Sequence, residues 1–304
     1  MHPSQDYMRH AHGRAVRCLA ALACGLLLAG CAQPDRPALD VAHVHGLAYE
    51  AESDTVYMAS HHGLARGERE DGRWSWTFVG EPYDFMGFTK DTERAGTFYS
   101  SGHPDDPRAY GGVHLGLRRS TDGGETWEQR SLKGEVDFHA LAALQGGEGW
   151  LAGHWQGKTK VSRDAGGTWT DHPSPPAAVI AFASAEDRLL AGTSNGLYET
   201  LDLQSFGDWT RLDGPGQGLV SSVASSRDGM VLLAGTGDGR AGSTYRSADA
   251  GKTWIPIEEE SLAVAPGQVL FAFDAEDPRH VFAALGDGTL FESKDAGEAW
   301  SRAR

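Results

Sequence analysis

Cysteine is nearly absent from this 304-residue chain: Cys18, Cys24 and Cys31 are the only three, all near the N-terminus. No disulfide framework can hold the remainder together. Basic charge is scarce too, with 27 Lys and Arg against 42 Asp and Glu and a formal net charge of −15. An acidic surface repels nucleic acid and offers no polybasic patch to a membrane, but it attracts cations. Long apolar runs are also missing. The stretch Cys18–Leu28 is too short for the roughly 20 helical residues that a bilayer core demands. A phosphate-cradling glycine loop is absent as well, because Gly235-Thr236-Gly237-Asp238-Gly239 precedes a strand instead of a helix and reads as a hairpin turn.

The N-terminus instead has the layout of an export signal. Arg9, Arg14 and Arg17 precede the short apolar stretch, which ends in Leu28-Ala29-Gly30-Cys31. This segment resembles bacterial lipoprotein signals. The resemblance implies cleavage of residues 1–30, acylation of Cys31, and residence in the bacterial cell envelope. Ala32 after the cysteine implies the outer membrane, facing the periplasm or the cell surface. Cleavage removes Arg9, Arg14 and Arg17 against Asp6, so the mature charge becomes −17. Residues 31–40, with Pro34 and Pro37, read as a tether. The folded domain is expected over 41–304, long enough to bury a large core without cross-links.

That domain is organised by one recurring stretch. Ser120-Thr121-Asp122-Gly123-Gly124-Glu125-Thr126-Trp127 returns as S-x-D-x-G-x-x-W at Ser162–Trp169, Ser247–Trp254 and Ser293–Trp300. Each copy lies between short alternating strands, as a hairpin turn should. The carboxylates of Asp122, Asp164, Asp249 and Asp295 can accept backbone N–H bonds, the glycine supplies positive φ, and the tryptophan packs on the sheet. The spacing from 164 to 249 is twice that from 122 to 164. A worn copy, Thr200-Leu201-Asp202 with Trp209, fills the gap, and Arg66–Trp74 makes a sixth. The stretch resembles the Asp box of the bacterial neuraminidase repeat, found in sialidases, sortilin-type receptors and photosystem-assembly propellers, and in secreted bacterial lipoproteins often labelled glycosyl hydrolases. There it lies on the rim, so it implies a fold and no chemistry.

Six units of four strands predict an all-β, six-bladed propeller. The innermost strands are expected at Val44–Tyr49, Phe85–Lys90, Val136–Leu144, Val179–Ala185, Val220–Ser226 and Leu270–Asp274. The last strand runs out near Arg304, so no strand remains to close the ring. Closure is left to packing between the first and last blades, or to residues 32–41.

Histidine is unevenly spread. Ten of the thirteen follow the signal, and eight of those lie between 43 and 154. Blades four to six need the same fold yet contribute only His280. The innermost strands begin His43-Val44-His45, Asp84-Phe85-Met86 and Asp137-Phe138-His139, with i and i+2 on one face. The second strands end near His61, His103 and His154, at the same mouth of the channel. This gathers His43, His45, His61, Met86, His103, His139 and His154 as candidate metal ligands. Thioether with imidazole leans toward copper over zinc. The alternative is that histidines and aspartates satisfy one another in the channel wall, the reading adopted for His114, His172 and His280.

Two other functions are open. A glycoside hydrolase could recruit Asp84 and Asp137, with Tyr83 and Glu135 nearby. Sialidase chemistry, which the Asp-box resemblance suggests, is disfavoured because no innermost strand carries an arginine to grip the substrate carboxylate. A protein-binding scaffold is the other possibility, with the loop from Pro104 to Gly112 as lid or contact surface.

Overall fold

The computed structural model describes residues 41, 43–215, 218–237, 242–259, 262 and 268–303. Residues 1–40, read above as signal segment and tether and including Cys31, lie outside them. Among the described residues there are six sheets of four consecutive antiparallel strands. The chain is a six-bladed propeller with almost no helix. No described helix is long and apolar enough to cross a membrane.

The innermost strands are Val44–Glu50, Asp84–Lys90, Leu141–Ala143, Val179–Ala185, Val220–Ser225 and Val269–Phe273. Second strands such as Thr55–Ser60 and Arg188–Thr193 are buried along their whole length. Each lies between two neighbouring blades, which is why these stretches read as near-continuous runs of Val, Leu, Ala and Tyr without a polar face. The outermost strands run from the seven-residue Arg73–Val79 of the first blade down to the two exposed residues Ser301–Arg302 of the last.

The turns are built as their residues suggest. Ser120 donates to Asp122 at 2.8 Å and accepts from the Gly124 N–H at 2.9 Å, and Asp122 accepts the Thr126 N–H at 2.9 Å. The other three copies repeat the serine–aspartate bond at 2.8 Å. The Trp127, Trp254 and Trp300 indoles donate back to the turn glycine's carbonyl at 3.1 Å. Trp169 instead donates to Ser131 of the preceding blade at 3.0 Å. Two successive residues adopt positive φ in each turn: Gly123 and Gly124 in the first copy, Ala165 and Gly166 in the second. A Cβ on Gly166 would sit 1.9 Å from Leu117 of the neighbouring blade, so the glycine also permits inter-blade contact. The worn copy keeps part of this bonding, with Asp202 accepting from the N–H groups of Gln204 and Ser205 at 3.0 Å.

The third innermost strand is shorter than its sequence suggested. Val136 to Ala140 lie outside any strand, because Phe138 N–H is taken by Ser101 Oγ at 2.9 Å instead of a ladder partner. The ring closes by packing: Val41, Val44 and Met58 of the first blade meet Ala272, Phe282 and Leu290 of the last. Val44 N–H donates to Gly286 at 3.2 Å across that seam.

Candidate metal centre

Four innermost strands share an irregularity that decides which side chains face the channel mouth. The register with the second strand slips between Val44 and Gly46, Phe85 and Gly87, Val179 and Ala181, and Val220 and Ser222. Each slip leaves one extra residue: His45, Met86, Ile180 and Ser221. A bulge turns its extra residue away from the regular alternation, so the i, i+2 rule fails in the first two blades, whereas Asp137 and His139 of the third stay together on the cavity wall. His45, Met86, Ile180 and His139 all line a cavity of about 320 Å³, together with Asp137, His154, Trp155 and Gln268. Asp84 parts from Met86 and turns toward the neighbouring hairpin.

That hairpin is two residues long and carries His61 and His62. Ser60 Oγ donates to Gly63 at 3.0 Å and accepts the His62 N–H at 3.2 Å, fixing the turn. The fourth blade builds the same turn on Thr193 with Ser194 and Asn195 between. The fold therefore does not ask for histidine here. His61 Nε2 faces His45 Nε2 at 3.2 Å, and His61 Nδ1 lies 2.7 Å from Asp84 Oδ1.

The contacts continue into the second and third blades. Asp84 pairs with His103 across the ladder end. His103 Nδ1 lies 3.5 Å from Asp84 Oδ2, and its Nε2 lies 3.2 Å from Asp137 Oδ2. The same Asp137 oxygen is 2.8 Å from His139 Nε2. His45, His61, Asp84, His103, Asp137 and His139 thus form one unbroken polar chain over three blades. Along it, with His114 beside it, two trios bring one donor atom each to within 4.8 Å of one another: His45, His61 and Asp84, and His103, His114 and Asp137. Burial and the nearby charge of His61 push His45 down to about 4, so its imidazole is neutral at ordinary pH. The hydrogen bond to Asp137 holds His139 above its usual value.

The remaining candidates separate. His43 is exposed at a φ of 57°, its ring 5.1 Å from that of His61 and in neither trio. His154 lines the cavity but its contact is Ser174 at 3.4 Å, and burial lowers its pKa. Met86 shares the cavity wall with His45 and His139. His114 was missed, because it lies on the connection before the third strand of its blade, outside the two aligned positions. His172 and His280 stay apart, bonded to the Ser205 carbonyl and to Glu292.

Asp84 and Asp137, the candidate catalytic carboxylates, are both engaged by histidines. Among the described residues no arginine lines this cavity. Arg118 is held in the blade, 4.5 Å over the Tyr83 ring and 2.8 Å from Glu81. Glu135 is exposed. The loop after Pro104 is fastened down: Asp106 caps a four-residue helix, Pro107–Tyr110, and Tyr110 donates to the Leu115 carbonyl at 3.0 Å.

Comparison with known proteins agrees with the fold. Residues 118–129 match the BNR/Asp-box repeat family. The chain is 27% identical over 215 residues to a sialidase of Bacteroides fragilis (strain YCH46), a match covering 62% of this chain and 37% of that protein. It is 26% identical over 233 residues to the photosystem II assembly lipoprotein Ycf48 of Synechococcus sp. (strain CC9902), covering 60% and 68%. The match thus spans little more than a third of the sialidase's length. Among solved structures, the GH74 enzyme of Niastella koreensis superposes with a TM-score of 0.60 at 17% identity, over 86% of this chain and 45% of that one. Ycf48 bound to D1 peptide superposes at 0.52 and 15%, over 87% and 83%. The chain is an Asp-box β-propeller similar to these proteins.

Proposed function

We propose that this protein binds a transition metal at the channel mouth through His45 and His61, with Asp84 orienting His61 from behind, as an envelope protein anchored by a lipid on Cys31, probed first with copper and then with zinc. One observation carries the reading: two imidazole nitrogens face each other at 3.2 Å while the far nitrogen of one is held by a carboxylate. With Asp84 accepting a proton from His61 Nδ1, Nε2 would keep its lone pair, the orientation found where a carboxylate supports a metal-bound histidine. Two nitrogens each about 2.0–2.1 Å from a tetrahedral ion stand roughly 3.3–3.4 Å apart. The observed separation is close to that.

The donors are imidazole nitrogens, for which Cu(II) ranks above zinc in intrinsic affinity. Met86 lines the same cavity as His45 and is the thioether that would favour Cu(I). Metal analysis of the purified mature protein is the test. Stoichiometric copper or zinc that disappears in His61→Ala supports the reading. A protein that neither ion loads in titration overturns it.

A hydrolase is the second reading, favoured by a cavity flanked by Asp137 and Trp155 and by the names of the sialidase and GH74 relatives. Turnover of a glycoside by metal-free protein, lost in Asp84→Asn or Asp137→Asn, would support it in place of metal binding. Protein binding on the same face draws support from Ycf48 with its D1 peptide.

A further inference from the structure

The second trio differs from the first in a way that points to its own ligand. Asp137 is nine-tenths buried, with 5% of its side chain exposed. His103 and His139 both approach Oδ2. Asp137 Oδ1 has no hydrogen-bond partner among the described residues, and neither has the buried Nδ1 of His114. A carboxylate oxygen and an imidazole nitrogen, both removed from water and both unpaired, cost the fold several kcal/mol by order of magnitude. They belong to residues whose donor atoms already gather within 4.8 Å.

The surroundings hold these groups in place. The His114 ring packs edge-on against Trp155 at 5.3 Å, and its carbonyl accepts the Gly134 N–H at 3.0 Å. His103 follows Gly102, where a Cβ would sit 1.9 Å from the Asp84 carbonyl, so the backbone approach that sets His103 beside Asp84 requires glycine. The phenyl-to-indole packing of Phe138 on Trp169 at 5.0 Å anchors the segment that carries Asp137. Orphaned donors on rigid supports are what a cation satisfies without rearrangement.

We propose that His103, His114 and Asp137 form a second metal centre, taking a divalent transition ion such as Zn²⁺ or Cu²⁺. It is coupled to the first through Asp84, the carboxylate that orients His61 there, whose other oxygen lies 3.5 Å from His103 Nδ1. With His103 Nε2 on the ion, Nδ1–H donates to Asp84, so that carboxylate orients the second centre while serving the first. The second centre rests on its own orphaned atoms and does not need the first to be correct.

The test is equilibrium loading of the full mature chain with ZnCl₂ or CuCl₂ alone, followed by metal analysis after desalting. Wild type should hold two ions, His114→Gln one, His61→Ala one, and the double variant none. Asp137→Asn, which preserves shape, should also hold one, with circular dichroism unchanged. In the His61→Ala background, Asp84→Asn should weaken the remaining centre about 10–100-fold, the usual effect of losing the carboxylate behind a ligating histidine. One ion lost in His114→Gln but kept in His61→Ala would sustain this centre and sink the first. Two ions retained in both His114→Gln and Asp137→Asn, or one ion held only through His61, would overturn the second centre and return its orphans to water.

Discussion

Arg69 and Glu292 stand 223 residues apart in sequence and meet at 3.1 Å across the seam between the first and last blades. Arg69 also reaches Asp54 at 3.2 Å and lies 4.6 Å over the Trp74 ring, while His280 approaches Glu292 at 2.9 Å. Among the described residues no strand passes between these blades, and this clasp and the apolar seam beneath it join them. Glu292 is 11% exposed at its side chain. Arg69→Ala should therefore cost about 1–3 kcal/mol, the range for hydrogen bonds to charged groups, and lower Tm by about 2–4 °C for each kcal/mol. An unchanged melting temperature would assign closure to the apolar seam alone.

The box aspartates set a pH window. The Thr168 N–H holds Asp164 down to about 2, and the Thr253 hydroxyl and N–H hold Asp249 at about 2. A folded pKa below the unfolded value of about 3.9 means stability that is present above that value and lost as pH falls toward 2. Acid unfolding should thus steepen between pH 4 and 2. Asp164→Asn with Asp249→Asn should flatten that region of a stability-versus-pH curve and leave the slope above pH 5 unchanged. A flat wild-type curve from 4 to 2 would remove the boxes from acid stability.

Gly102 has a φ of 150°, and its missing side chain admits the Asp84 carbonyl. Gly102→Ala should force the second and innermost strands of that blade apart where Asp84 and His103 emerge. The expected result is a weaker metal complex, with more loss of affinity than of global stability, read by comparing metal titration with thermal unfolding. Equal metal affinity in the variant would show that the site tolerates a shifted Asp84.

Much of this was legible in the chain. Repeated spacing of Ser120, Asp122, Gly124 and Trp127 fixed blade number because a turn with two successive left-handed residues admits few sequences. His61 and His103 were findable because they end second strands. What failed was local: the alternation that paired His43 with His45 and Asp84 with Met86 assumed straight strands, and bulges do not announce themselves in residue type. His114 was invisible for another reason. Its place depends on a connection brought across the blade to Trp155, a tertiary contact that no spacing within one strand encodes.

Anchoring should follow Cys31. The Cys31→Ser protein is expected to lose acyl labelling and to fractionate as soluble or uncleaved precursor, since Cys31 is the one cysteine that the proposed cleavage leaves. Wild-type protein that takes up no labelled fatty acid would show that Leu28-Ala29-Gly30-Cys31 does not direct lipidation.

The hairpin comparison separates folding from metal binding most directly. The first and fourth blades make the same two-residue turn, one on Ser60 with His61 and His62, the other on Thr193 with Ser194 and Asn195. In both, a hydroxyl donates to the closing glycine's carbonyl and accepts the N–H of the second turn residue, so the middle side chains contribute little to the turn. Transplanting the fourth blade's residues, His61→Ser with His62→Asn, should leave stability within about 0.5 kcal/mol, as for surface changes away from buried features. Asp84 keeps His103 as its remaining histidine partner. Metal should nonetheless be lost from the first trio, which retains only His45 and Asp84. A stable variant with undiminished metal uptake would show that His61 is not a ligand, whereas a stable variant that has lost one ion assigns this histidine to binding rather than to the fold.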